Sequence, residues 1–435
     1  MRTTTRWALQ HGVVRVAASR AARKGDLHAQ LMIDDRYRAD PFPFYRQVRE
    51  TGRLVRGRLV HVTASYDVVS EVLRGDDWRA GPDEDAMPSF VRGLVRWARD
   101  PRALGPIDPP SMLVVEPPDH TRYRKLVSKV FTARAVAGMR PQVEAIAHRL
   151  LDELAGQDAP DLVDAYASRL PVAVIAQILG VRPEDHGRVL RLGHLAAPSL
   201  DVGLTRRQFA VVDGAVRDFQ QWLTGHIAHL RREPGDDLLS QLVQIEDGGE
   251  RLDEVELKAV AGLLLAAGFE TTVNLLGSAV VLLLEHPEQL DLLRSDPDLW
   301  PGAVDEALRL EGPVQMTGRF AVRDTELAGQ RIGKGGIVVT YLGGANRDPA
   351  VFPDPDAFDV RRPNARDHLT FSAGRHFCIG AALARLEGEV GLRALFDRYP
   401  HLELAGGAQR RTTRVLRGWQ SLPVRLAARQ PAGQV

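Results

Sequence analysis

The single cysteine of this chain, Cys378, stands in the stretch FSAGRHFCIG, residues 371–380, with Gly374 four residues before it and Gly380 two after. Three chemistries compete for it. A lone thiol is commonly a small buried hydrophobe. A thiolate beside His376 would be a nucleophile with a base, but two residues apart in one loop is poor geometry for proton transfer. Ligation of a metal is the third, and the glycines around Cys378 are unusual for a core position. One cysteine excludes an internal disulfide, a four-cysteine iron–sulfur cluster and an all-cysteine zinc site.

A second pair able to do chemistry lies in DEVELKAVAGLLLAAGFETTVNLLGSAVVLLLEHP. Asp253 and Glu256 have capping-box spacing and Pro287 closes the run, so the pattern predicts one helix of about 32 residues, roughly 50 Å long. It is apolar around most of its circumference and is therefore expected to be buried. Glu270 and Thr271 interrupt that pattern. Ala267 and Gly268 lie on the side of Thr271 at 100° per residue, which leaves a groove beside a hydroxyl. Glu270 is a buried carboxylate that needs a partner or a task. An ordinary reading of both residues is a threonine bonded back to its own helix and a glutamate in an ion pair.

The elements around these groups read as mainly α with a smaller β-sheet region, an α+β class. LVRGRLVHV, residues 54–62, has hairpin character with its turn near Gly57, and LAGQRIGKGGIVVTYL after Arg319 returns to strands. Residues 81–118 are rich in proline, glycine and charge and read as a loop-like, mobile element whose Phe90, Leu94 and Trp97 form an apolar inner side. GDDLLSQLV and HPEQLDLLRSDPDLW carry helical spacing, and TTRVLRGWQSLPVRL resembles a last hairpin. The expected organisation is a basic segment 1–29, disordered or helical, a catalytic domain 30–428 and a tail 429–435.

Composition narrows the partners. Lys+Arg 57 against Asp+Glu 56 gives a net charge of +1, which argues against nucleic acid. Lysine occurs only at 24, 125, 129, 258 and 334, so the arginine excess reflects coding bias more than a binding surface. The first 25 residues carry no acid, yet lack the apolar core of a signal peptide. The longest apolar run, residues 259–269, is too short to span a bilayer. A soluble, cytoplasmic, non-transmembrane protein is expected.

Together these motifs resemble the cytochrome P450 superfamily, of the soluble bacterial, actinobacterial type. FSAGRHFCIG fits its FxxGxxxCxG haem signature, AGFETT its central-helix motif, and EALR its ExxR pair, Glu306 and Arg309. EPPDHTRYRKLVSKVFTARAV and ANRDPAVFPDPDAFDVRR resemble the helix over the haem and the approach to the cysteine loop. The pieces stand in family order over residues 30–428. The resemblance implies haem b, iron protoporphyrin IX, with Cys378 as the iron ligand. Gly374 and Gly380 would shape the loop, and Phe371 and Ala267 would lie beside the ring. It assigns the ring's propionates to His120, Arg124, Arg319 and His376. Glu306, Arg309 and Arg362 would form a structural network, with FDxxR spacing favouring Arg362 over Arg361.

The reaction implied is monooxygenation: one atom of O2 enters a lipophilic small molecule and the other leaves as water after two electrons and two protons arrive. Thr271 would hydrogen-bond dioxygen and Glu270 would relay protons. Substrate contacts are expected from Ala267, Gly268, residues 313–317 with Gln315 orienting a polar group, Phe90 to Trp97, and Leu416 to Trp419. With no reductase module in the chain, electrons are expected from a ferredoxin and its NAD(P)H-dependent ferredoxin reductase. Arg122, Lys125 and Lys129 form a stripe roughly 60° wide on their helix, suited to an acidic partner. A haem-binding protein without turnover is the alternative reading, and the Glu270–Thr271 pair argues against it.

Overall fold

Asp253 accepts a hydrogen bond from the Glu256 N–H, and Glu256 reaches back to the Asp253 N–H, closing the capping box that starts the longest helix, Glu254–Glu285. The computed structural model describes residues 2–83, 89–98, 100–157, 159–245 and 252–426. The expected tail 429–435 and the last two residues of the expected catalytic domain lie outside them. The elements used below are helices α1 (Ser89–Ala98), α2 (Asp119–Ser128), α3 (Pro183–Ala196), α4 (Arg206–Arg232), α5 (Glu254–Glu285), α6 (Trp300–Leu310) and α7 (Ala381–Arg398).

Helix α5 is the axis of the main core. Leu265, Phe269, Val273, Leu276 and Val280 are buried there, and α3, α4, α6, α7 and the helix Arg169–Ile178 all pack against it. Among the described residues it is the one helix long and apolar enough to cross a membrane, and most of that stretch is buried within the protein. The apolar run identified in the sequence is thus a core element.

A five-stranded sheet forms the second layer, in the order β1 (Val55–Arg56), β2 (His61–Thr63), β5 (Ile337–Tyr341), β4 (Met316–Ala321), β3 (Trp78–Arg79). The β1–β2 hairpin has the register Val55↔Val62, and β2 runs parallel to β5 with His61↔Val338. Phe44, Tyr45 and Tyr341 pack beneath it, their rings within 6.1 Å of one another. Helices dominate and the sheet is small, as the patterning predicts.

Two local expectations change, and the N-terminus takes the helical one of its two expected forms. Residues 89–98 are helical rather than loop, and Phe90 is 77% exposed, with Leu94 and Trp97 also exposed, so its apolar side faces outward. The expected C-terminal hairpin is two nested pairings: Trp419–Ser421 on Gln409–Arg410, and Val424–Arg425 on Glu403–Leu404. The basic N-terminus is helical through residues 2–22, with a wider π turn at Ala8–Gly12, and it packs on the body of the protein.

Candidate active site

The cysteine loop is held by its own backbone. The Cys378 N–H donates to the Phe371 carbonyl at 2.9 Å, and the chain enters α7 at Ala381 directly afterwards. Gly374 has φ +66°, and a Cβ there would stand 2.5 Å from the Leu73 carbonyl, so the glycine is required where this loop meets the helix Tyr66–Arg74. Gly380 has an ordinary φ of −84°. Its contribution is open space and an N–H, since a Cβ would lie 3.9 Å from the Cys378 sulfur. Burial pushes the Cys378 thiol up, while the Gly380 N–H and the charges of Arg124 and Arg385 pull it down. Phe371 is buried, 6.4 Å from the Phe377 ring, with the Arg385 guanidinium 4.7 Å above it.

Behind the loop, Arg309 uses all five of its N–H groups. Nε and Nη2 meet the Glu306 oxygens at 2.7 and 2.8 Å, and the other three reach the carbonyls of Asn346, Pro355 and Ala357. Both residues are 0% exposed. Arg362, not Arg361, completes the group, with Nε 3.0 Å from Glu306 Oε1. Asn346 extends it into the loop: its amide donates to Thr370 Oγ1, its oxygen accepts from the Leu369 N–H, and Thr370 donates to the Leu308 carbonyl. Asp305 adds a second tie, with Arg385 Nε at 2.7 Å and His368 at 3.3 Å. Neither Asn346 nor Asp305 carries a local sequence signal, because both act across long separations.

On α2, Tyr123 and Val127 are buried and bring His120 inward beside His376, with 4.5 Å between ring centroids. Arg319 on β4 is buried, donating to Thr317 Oγ1 and the Gly318 carbonyl. Arg124 is half-buried on the same helix as His120. Within this cluster sits an acid the sequence pattern did not single out. Glu116 lies 3.3 Å from His376 Nε2 and 3.1 Å from Arg375 Nη1, and accepts from the Ala80 N–H at 2.7 Å. Burial would raise its carboxyl, but His376, Ala80 and Arg375 outweigh that and hold it at about 2. Burial, His376 and Arg124 push His120 down to about 4. The signal for Glu116 is an acid opening EPPDHTRYRK, directly before a helix carrying His and Arg.

Helix α5 is buried on nearly every face, yet Ala267 is exposed and Leu263 and Thr271 half-exposed at four-residue spacing. That strip opens an otherwise closed helix. The Thr271 hydroxyl donates to the Ala267 carbonyl at 2.9 Å, leaving its oxygen as an acceptor. Gly268 is no part of the opening: a Cβ there would stand 2.8 Å from Ile175 Cγ1, so its smallness serves helix packing. Glu270 is buried and flanked by the Arg411 guanidinium, Nη1 at 2.6 Å, and the His194 imidazole, Nδ1 at 3.1 Å, neither aligned as a full hydrogen bond. Burial would raise its carboxyl; His194 and Arg411 outweigh that and hold it below the usual carboxylate range. The ordinary contacts of both residues are therefore present together with the opening. Arg411, on the far hairpin, has no signal in the sequence around Glu270.

Two substrate expectations move. Gln315 is buried, its amide donating to the Gly312 carbonyl and its oxygen packed toward Gly343, so it orients nothing in a cavity. Leu416 is buried too and bridges to Val314. On α2, Arg122 turns to the capping-box Glu256, with a second contact to that carboxylate at 3.2 Å. Lys125 and Lys129 remain exposed on that face.

The residues present fit a flat apolar ring with an anionic edge: a half-buried sulfur under an aimed N–H, the open Leu263–Ala267–Thr271 strip on a core helix, and Arg124 and Arg319 with the imidazoles of His120 and His376 beyond them. Known proteins agree. Residues 206–416 match the family described as Cytochrome P450. A protein of Mycobacterium tuberculosis named cytochrome P450 140 is 54% identical over 98% of both chains. The 6-deoxyerythronolide B hydroxylase of Saccharopolyspora erythraea is 39% identical, covering 90% of this chain and 97% of the other. The structure of myxobacterial cytochrome P450 CYP267B1 with myristic acid superposes with TM-score 0.82 at 34% identity, over 92% of this chain and 100% of that one. Sequence, fold and site geometry thus converge, and the chain belongs to the cytochrome P450 family, a family of haem-thiolate monooxygenases.

Proposed function

We propose that this chain binds haem b through Cys378 and oxidises a lipophilic small molecule with O2, taking electrons from a separate ferredoxin and its NAD(P)H-dependent reductase. The observation that carries the reading is Cys378 itself, half-buried, with the Gly380 N–H on its sulfur, in a loop fixed by Glu306, Arg309 and Arg362. A thiolate-ligated haem supplies oxygen activation, with one atom going to substrate and one to water. The chain's own residues do the rest. His120, Arg124, Arg319 and His376 would hold the carboxylates at the ring's edge; Phe371 would pack beside the cysteine loop and Ala267 would border the ring. Gly374 and Gly380 give the loop its path. Glu270 passes protons inward from the His194 side, and the Thr271 hydroxyl presents one at the reacting end of the opening. The opening is lined by Ala267 and Leu263, which suits an apolar substrate. The hydroxylase and the fatty-acid-bound relatives point the same way.

Reduced protein under carbon monoxide is expected to show the long-wavelength Soret band of a thiolate ligand, and Cys378→Ala to lose it; a band that survives the substitution refutes the assignment. For the electron donor, the exposed Lys125 and Lys129 supply the docking charge. Reversing both should slow reduction by a ferredoxin several-fold, as should salt, given a Debye length of about 8 Å at physiological ionic strength. Rates indifferent to both place the docking face elsewhere.

A further inference from the structure

The family reading makes no use of the N-terminal helix, residues 2–22, yet one stripe of it is engaged in detail. Trp7, His11 and Arg15 are four residues apart and share a face. All three reach the connection between α3 and α4. Trp7 Nε1 donates to the Leu204 carbonyl at 3.0 Å, and Arg15 Nη1 donates to the Gly203 carbonyl at 2.8 Å. His11 Nδ1 accepts from the Gly203 and Leu204 N–H groups at 3.2 and 3.4 Å. Every backbone polar group of two consecutive connection residues is therefore bonded by side chains from a helix some 190 positions earlier in the chain. Surface connections ordinarily leave such groups to water.

The arrangement is built for this contact. Gly203 has φ +79°, which turns its N–H and carbonyl toward the helix. Phe209, at the start of α4, lies 5.2 Å from the His11 ring, and a buried Arg6–Asp213 ion pair fixes the helix to α4. Apolar packing alone would seat a terminal helix; it would not aim three polar groups at two peptide units.

The connection is tied on its other side as well. The Asp201 carboxylate accepts from the N–H groups of Arg414 and Val415 at 2.9 to 3.1 Å. Three residues before Arg414, Arg411 reaches Glu270, and His194 near the end of α3 reaches the same carboxylate. The connection therefore spans the two elements that close over Glu270. For it to swing away, the outer bonds to Trp7, His11 and Arg15 must break.

We propose that the N-terminal helix is a strap across the α3–α4 connection. Trp7, His11 and Arg15 act as positioning residues that set how often the connection swings away to admit substrate to the opening beside Ala267 and Thr271. The strap itself stands on geometry; the consequence for substrate rests on the monooxygenase reading. His11 must present an unprotonated Nδ1 to accept both bonds, and burial together with Arg6 favours that form.

The test uses full-length haem-loaded protein, Trp7→Phe, His11→Leu and Arg15→Met singly and combined, with a phenylimidazole as iron-binding probe. Amide exchange at Gly203 and Leu204 should quicken about fivefold for each hydrogen bond lost, the usual net weight of one such bond. Association and dissociation of the probe should both accelerate by similar factors, so that its Kd barely moves while haem content stays at the wild-type level. A merely structural loss would instead change Kd and haem retention. Wild-type exchange at residues 203 and 204 in the triple variant overturns the strap. Faster exchange with unchanged probe rates overturns the gating. If the triple variant does not fold, Trp7→Phe, which removes one donor and keeps an aromatic ring, decides the matter by the same two readouts. A protein without the thiolate band would sink the monooxygenase reading, and the exchange measurement would still judge the strap.

Discussion

Two buried glutamates, one behind the cysteine loop and one in the middle of α5, are treated in opposite ways. Glu306 is sealed: Arg309 and Arg362 meet it with aligned bonds, Asp359 N–H adds another, and water reaches none of it. Glu270 has Arg411 and His194 close by but misaligned, and its neighbour Thr271 borders an opening. A group meant to hold geometry is saturated with partners, because every unmet bond in the interior costs free energy. A group proposed to exchange protons, as Glu270 is here, keeps an incomplete set that leaves it able to change partners. A third acid, Glu387 on α7, marks the limit: it is buried with no cation, and burial pushes its carboxyl up to about 8 against the pull of the Thr272 hydroxyl.

The comparison breaks first at the sealed site. Arg309→Ala leaves Glu306 charged and buried, at a cost of about 3–5 kcal/mol, and should appear as lost folding and lost haem in denaturant titration. A stable, haem-replete Arg309→Ala protein would show that saturation there is incidental.

Next comes Glu387. Its folded-state pKa is raised, so its stabilising contribution is full below the ordinary value near 4.5 and is lost as pH rises to about 8. A tenfold change in proton affinity corresponds to about 1.4 kcal/mol, so the stability of Glu387→Gln should rise relative to wild type by a few kcal/mol across that window. Parallel stability curves over the same window would mean that Glu387 is already ionised and paired.

The smallest effect is expected at the incomplete site. Glu270→Gln should slow turnover by about 10²-fold or less, the range of general acid–base catalysis, with little change in stability. Thr271→Ala should keep consuming reducing equivalents while releasing more peroxide per product. If both variants turn over with wild-type rate and coupling, the openness around Glu270 has no catalytic meaning.

How much of this was legible depended on distance along the chain. The capping box at Asp253 and Glu256, the β1–β2 hairpin and the 32-residue length of α5 are set by neighbours within a few residues, and their sequence patterns placed them correctly. Residues 89–98 were misread because proline, glycine and charge at their flanks masked a short helical pattern. Arg122 was read as a solvent-facing cation; its partner Glu256 belongs to another helix, and no local pattern announces that. Arg411, His194, Asn346 and the peptide groups of Gly203 and Leu204 were invisible for the same reason. Tertiary chemistry chose them.

The sheet register has a consequence for how the protein is made. β2, at residues 61–63, pairs with β5 at residues 338–340, so the first hairpin emerges from the ribosome long before its parallel partner exists. Pairings of such sequence separation close late and slowly. Arg411 follows later still, and until it arrives the guanidinium beside Glu270 is missing. Haem captured during synthesis would meet a cysteine loop before the acid's surroundings are complete. The order of events in the cell should therefore be translation to the end, closure of the sheet, and only then lasting retention of the cofactor.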